Sequence, residues 1–157
     1  MTIVLIAIGK TEASFIQEAI VEYINRIKRY SPFEFVIVPA VKNAHALPDE
    51  VLKQKEGEAL LAKCQPNDHI ILLDEHGKER TSVMFSQHIQ RLQNTGIKRV
   101  VFMIGGAYGF SQELHQRAYE KISLSQMTFS HQMVRMIFLE QLYRAFTILK
   151  GEPYHHE

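Results

Sequence analysis

The chain predicts an α/β fold, a mostly parallel sheet flanked by helices, on three observations. Short continuous apolar runs, rich in β-branched residues, alternate with segments of helical periodicity. The runs are apolar throughout rather than at every second residue, the pattern of strands covered on both faces. Each run also ends at a glycine, a proline or a polar turn.

The elements follow in order. Ile3 to Ile8 reads as a buried strand closed by Gly9. From Glu12 to Tyr30, apolar residues at Ile16, Ala19, Ile20, Tyr23, Ile24, Ile27 and Tyr30 mark one face of a helix, which Ser31-Pro32 stops. Phe33 to Val38 is the second strand, and a polar loop leads from Pro39 to a helix over Asp49 to Lys63. Ile70 to Leu73 forms the third strand and runs into Asp74-Glu75-His76-Gly77; a helix from Ser82 turns Val83, Phe85, Ile89 and Leu92 inward. Val100 to Ile104 is the fourth strand, followed by Gly105-Gly106-Ala107-Tyr108-Gly109 and a short helix with Ser111 as its N-cap. A brief fifth strand around Ile122 to Leu124 precedes the loop Ser125 to Ser130 and a long helix from His131 to Lys150, ended by Gly151 and Pro153. The tail Gly151 to Glu157 is expected to stand off the core. No linker or repeat divides the 157 residues, so residues 1–157 are expected to form one domain.

Bulk properties exclude several classes. With 46% hydrophobic and 22% charged residues the composition is globular, and no apolar run approaches a membrane span. The run at the start is too short for a signal peptide with its flanks, so a cytoplasmic location is expected. The single cysteine, Cys64, makes no internal disulfide. A net charge of +1 is not the excess of a dedicated RNA binder, although Arg26, Lys28 and Arg29, or Lys150, His155 and His156, could form a local basic face.

The glycine loop 105–109 lies after a strand and before a helix, where open parallel sheets bind ligands. It is no dinucleotide fingerprint, because Ile104 stands where that pattern needs its first glycine, and no lysine makes it a P-loop. A tight turn needing positive φ accounts for it equally well. Leu124 to Phe129 is a second loop after a strand, too apolar for an exposed connection. It packs either on a cofactor ring or on the core. Asp74 faces the same sheet edge, as a ligand contact or a turn cap. His131 and Arg135 lie four apart on the last helix, facing a substrate together, or capping the helix and pairing with Glu140 respectively. The histidines lack the spacing of a zinc site, and no G-x-S-x-G elbow supports hydrolysis. The apolar stripe Leu139, Leu142, Tyr143, Phe146 and Leu149 fits a helix packed on both the core and a second subunit, or on the core alone.

Five strings occur together and in order: Ile104-Gly105-Gly106-x-x-Gly109, Leu124-Ser-x-Met-Thr128, His131-Gln-Met-Val-Arg135, Glu140-Gln-Leu-Tyr-Arg144-Ala145 and Pro153-Tyr-His-His156. With Leu73-Asp74 and the opening Val4-Ala7-Ile8-Gly9-Lys10, they closely resemble the RlmH family over the whole chain. Members of that family are SPOUT-class enzymes that methylate N3 of a pseudouridine in a stem-loop of 23S rRNA. The resemblance implies a C-terminal trefoil knot within about residues 70–150, which no general folding rule would predict.

By position, the resemblance implies an S-adenosylmethionine site made of Leu73, Gly105 and the loop Leu124, Ser125, Gln126, Met127, Thr128 and Phe129, with no metal. It implies a homodimer whose tail 151–157 completes the site across the interface, and the large subunit or assembled ribosome as the RNA partner. His131, Tyr154 and His155 become candidates for removing the imide proton or stabilising the anion. Arg135, Arg144 and His156 become candidates for RNA contacts. One departure is Ser130, where many relatives have proline, which loosens the expectation of a rigid loop there. The rival from another class is a noncatalytic ribosome-associated binding factor with the same fold.

Overall fold

The computed structural model describes all 157 residues. Five strands, β1 (Thr2–Ile8), β2 (Phe33–Val38), β3 (His69–Glu79), β4 (Arg99–Ile104) and β5 (Glu120–Ser123), form one sheet in the order β2-β1-β4-β3-β5. Every neighbouring pair is parallel. Helices α1 (Ser14–Ile27), α2 (Asp49–Leu61), α3 (Ser82–Asn94), α4 (Gln112–Arg117) and α5 (Met133–Leu149) cover it, with one 3₁₀ turn at Ala44–Ala46.

Alternation along β1 shows how both faces are used. Ile3, Leu5 and Ala7 join the larger core with Ile16, Ile20 and Ile27 of α1, Phe85, Ile89 and Leu92 of α3, and Phe138, Leu139 and Leu142 of α5. Val4 and Ile6 point the other way, to Leu60 of α2, Leu114 of α4 and Phe110 just before it. Ile3 to Ala7 are all 0% exposed, which is why β1 carries no polar residue between its ends. Phe102 and Phe138 lie 4.7 Å apart between ring centroids and join the central strand to α5.

Ser111 caps α4 by accepting from Leu114 N at 3.3 Å, as its position in the sequence predicts. Three boundaries differ instructively. β3 does not stop at Leu73: Leu73 and Lys78 both pair with Ile122, so residues 74–77 loop out and pairing then resumes. Those residues are polar and carry no hydrophobic signal, so the second half of β3 is specified by β5 and not by its own pattern. α5 begins at Met133, after Ser130 has accepted from Met133 N through Oγ at 3.2 Å and from Val134 N through its carbonyl at 3.0 Å. The serine thus secures the turn before α5 as a hydrogen-bond acceptor. The tail, expected to stand free, packs instead: Tyr154 sits edge-on to Tyr143 at 4.7 Å, and Tyr30 Oη donates to Glu152 at 2.6 Å.

Arg80, His88 and Glu120 make an ion cluster at the β5 edge. Arg80 Nη2 donates to Glu120 Oε2 at 2.9 Å while His88 meets Oε1. Burial pushes the Glu120 carboxyl up, but the His88 hydrogen bond and charge, together with Arg80, outweigh burial and hold it below the usual carboxylate range. A carboxyl depressed in the folded state adds stability that is full above its unfolded pKa and is lost as pH falls through its folded one. Urea unfolding of wild type and Glu120→Gln is therefore expected to show a stability gap at about pH 5 that closes on acidification below about pH 4.

Candidate methyl-donor site

A cavity of about 620 Å³ opens at the carboxyl ends of β3, β4 and β5, within the size range of small-molecule and cofactor sites. Three loops build it. Leu73, Asp74, Glu75 and His76 come from the excursion in β3, Ile104 to Phe110 from the turn after β4, and Ile122 to Ser125 with Met127 to His131 from the loop between β5 and α5. Gly105 bears on the question of fit: a Cβ there would lie 3.1 Å from the Phe110 ring. Leu124 and Phe129 add apolar surface, and Ser125 Oγ accepts from Met127 N at 2.9 Å, bending the loop. Asp74 does both things its position allows, lining the cavity while Oδ1 accepts from His76 N at 2.8 Å. An apolar-walled cleft with backbone turns on two sides fits a nucleoside-bearing group such as S-adenosylmethionine.

Most of the residues assigned to the cofactor from the sequence come together here: Leu73, Gly105, Leu124, Ser125, Met127, Thr128 and Phe129 all line the cavity. Gln126 does not, because its side chain turns to Glu79 Oε2 at 3.4 Å. His131 lines the cavity and is exposed. Lys53 and His115 line it too and were missed. They project from α2 and α4, distant in sequence, and no local pattern marks them.

Arg135 requires a correction. It is 0% exposed, so it offers RNA no surface. Nη2 donates to Ile8 O at 2.7 Å, Nη1 to Gly9 O at 2.8 Å and Thr11 Oγ1 at 3.0 Å, and Nε to His131 O at 3.1 Å. Burial lowers its pKa, and the carbonyls at the end of β1 compensate the charge in place of a carboxylate. Nor does it pair with Glu140, whose partner is Arg144, with Nε at 3.1 Å from Oε1. Beside it, Gln132 Oε1 accepts from Glu12 N at 3.0 Å and Nε2 donates to Lys10 O at 3.2 Å. Arg135 and Gln132 together fasten the loop after β1 to the start of α5, and so place His131.

The remaining candidates form a separate cluster on the outer face of α5. Tyr154 Oη donates to Glu140 Oε1 at 3.1 Å, and Arg144 lies 4.8 Å over the Tyr154 ring. Burial, then hydrogen bonding to Tyr23 and the Glu140 charge, push the Tyr154 hydroxyl far above its ordinary value. Tyr154 is thus a hydrogen-bond donor and not a base. Arg144 Nη1 lies 3.2 Å from His155 Nδ1; guanidinium only donates, so Nδ1 accepts, and the buried Nε2 makes no hydrogen bond, with Glu157 Oε1 4.0 Å away. His156 is exposed, and none of the three tail residues lines the cavity within the same chain. Of the expected basic face, Arg26 is engaged already, bound to Glu22 at 2.8 Å and lying 5.3 Å from both the Tyr23 and Tyr143 rings. Cys64 is no nucleophile, because burial pushes its thiol up to about 11.

A parallel sheet with this cleft defines a class, and the comparisons agree: the family model described as "Predicted SPOUT methyltransferase" matches residues 1–155. The chain belongs to the SPOUT methyltransferase family and is a methyltransferase. Curated relatives bear the name ribosomal RNA large subunit methyltransferase H. That of Parabacteroides distasonis is 55% identical over 157 residues, covering 100% of both chains. Those of Christiangramia forsetii and Bacteroides thetaiotaomicron are 54% and 52% identical, over 99% and 100% of each chain. A solved structure, a probable methyltransferase from Bordetella pertussis Tohama I, shares the fold with a TM-score of 0.53 at 13% identity, over 91% of this chain and 95% of that one.

Arg135→Met is expected to lower stability by about 2–4 kcal/mol in urea unfolding, since it strands buried carbonyls at the end of β1. Arg144→Met, on the half-exposed face, is expected to cost less than about 1 kcal/mol.

Proposed function

We propose that the protein transfers a methyl group from S-adenosylmethionine to N3 of a pseudouridine in 23S rRNA, acting in the cytoplasm on the large subunit or the assembled ribosome. The relatives' shared name supports the RNA class. The observation that carries the chemistry is the cleft at the carboxyl edge of the sheet, lined by Gly105, by the loop 124–129 except Gln126, and by His131. Leu73, Gly105 and the loop would hold the donor chiefly through backbone groups and apolar contact, with no metal. When bound, S-adenosylmethionine supplies a methyl group activated by its sulfonium, so the protein's part is alignment and disposal of the imide proton. His131, at the cleft and with its backbone held by Arg135, is the residue placed to take that proton. Tyr154, kept neutral, would turn its one hydroxyl proton from Glu140 to the developing anion, with His155 beside it. Arg144 and His156 would meet the RNA backbone.

These two groups of residues lie apart in one chain, which supports a homodimer whose tail 151–157 reaches the partner's cleft. The lack of a hydrogen bond at His155 Nε2 and the exposure of Phe15 on α1, 62%, are in keeping with surfaces completed by a second copy. One SPOUT domain over residues 1–157, knotted within about 70–150, belongs to the same reading. No helix is long and apolar enough to cross a membrane.

Calorimetric titration with S-adenosylmethionine is expected to show micromolar binding by wild type and none by folded Gly105→Trp, whose ring fills the cleft. Absence of binding to folded wild type would instead favour the noncatalytic ribosome-binding factor. For the dimer, mixing and refolding His131→Ala with His155→Ala chains should restore methyl transfer to pseudouridine-containing ribosomes that neither variant performs alone. A mixture as inactive as its parents would place both residues in one chain's site.

A further inference from the structure

Glu56 is the one acid of α2 whose side chain turns inward: it is 6% exposed, and its Oε1 is buried with no hydrogen-bond partner. It does not line the cleft. The carboxyl is seated against the turn after β4, where a Cβ on Gly106 would stand 2.8 Å from Oε1 and 2.9 Å from Cδ. Its neighbour Gly57 brings α2 equally close to the other end of that turn, since a Cβ there would lie 3.1 Å from Ser111 Cβ. α2 therefore grips both ends of the segment that forms one wall of the cleft.

The turn is closed by an isolated Gly106–Gly109 bridge, with Gly109 N donating to Gly106 O at 3.2 Å, and the amides of Ala107 and Tyr108 form no backbone hydrogen bond across it. A buried acceptor without a partner costs free energy, and an apolar side chain of the same length would stabilise the fold better. Burial accordingly pushes the Glu56 carboxyl up. A carboxyl retained against that cost points to function, and what it abuts is the turn.

We propose that Glu56 is a positioning residue for the methyl-donor site, its buried carboxyl holding the Gly105–Gly109 turn in the shape that presents Gly105 to the donor. It acts through Gly106 and touches no substrate atom. The inference rests on the cleft being the S-adenosylmethionine site. It assigns Gly106 a reason to be glycine that differs from the reason at Gly105: Gly106 admits the Glu56 carboxyl, and Gly105 admits the Phe110 ring.

The test compares wild type, Glu56→Met and Glu56→Gln by S-adenosylmethionine titration, hydrogen exchange and thermal unfolding. Glu56→Met removes the buried polar group at similar length, so its melting temperature should equal or exceed that of wild type. Its affinity should nevertheless fall on the order of tenfold or more, the scale seen when support of a binding group is lost, with faster exchange confined to the Gly109 amide, the hydrogen-bonded one of the turn. Glu56→Gln keeps the planar head group seated against Gly106 and should recover most of the affinity. Wild-type affinity and unchanged exchange in Glu56→Met would overturn the inference, as would a loss of affinity accompanied by melting and exchange across α2 and α4. If folded wild type does not bind S-adenosylmethionine, the cofactor reading falls and this inference falls with it.

Discussion

The guanidinium of Arg135 is the point on which the site depends. A permanently charged group with no exposure is stable only if its donors are satisfied, and here the end of β1 and the turn leading into α5 satisfy them together. That requirement fixes where the loop after β1 lies, where α5 starts, and hence where the chain from β5 must travel to reach it. The 124–131 loop, stretched between a short edge strand and this anchor, becomes a wall of the cleft. The same charge that would serve an exposed phosphate contact serves here to tie two distant segments.

Two kinds of support surround the cleft. On the side of α5 it is held by charge and hydrogen bonds, from Arg135 and Gln132. On the side of α2 it is held by contact, through the close approach of Glu56 to Gly106 and Gly57 to Ser111. Beneath both lies the sheet, whose central strands are sealed by two apolar layers and do not move relative to each other without opening a core. Flexible loops on a rigid parallel sheet are a common arrangement for binding a small ligand and closing on a larger one.

The outer cluster on α5 follows a different logic. Tyr23, Tyr143, Tyr154, Arg26, Arg144 and Glu140 interlock through rings and guanidinium groups at 4.7 to 5.9 Å. This holds the tail against α5 while leaving His155 Nε2 without a hydrogen bond and His156 exposed. A tail so ordered is presented to whatever adjoins α5.

The sequence by itself determined the strand and helix order, because each element's burial is written in its own residues: Ile3 to Ile8 must be covered on both faces, and α1 carries one apolar stripe. It also named the two loops of the cleft, since glycine after β4 and apolar side chains after β5 are local exceptions to what connections usually contain. Three things only the tertiary structure decided. The continuation of β3 past Leu73 depends on pairing with β5, which no pattern within residues 74–79 reveals. Arg135 reads in sequence as a surface cation one turn from His131, and becomes internal only because β1 ends beside it. Glu56 reads as one of several acids on a polar helix, and its burial exists only because α2 packs against the turn after β4. Hydrophobic periodicity records what a segment buries of itself; it does not record a polar group buried by the approach of another segment.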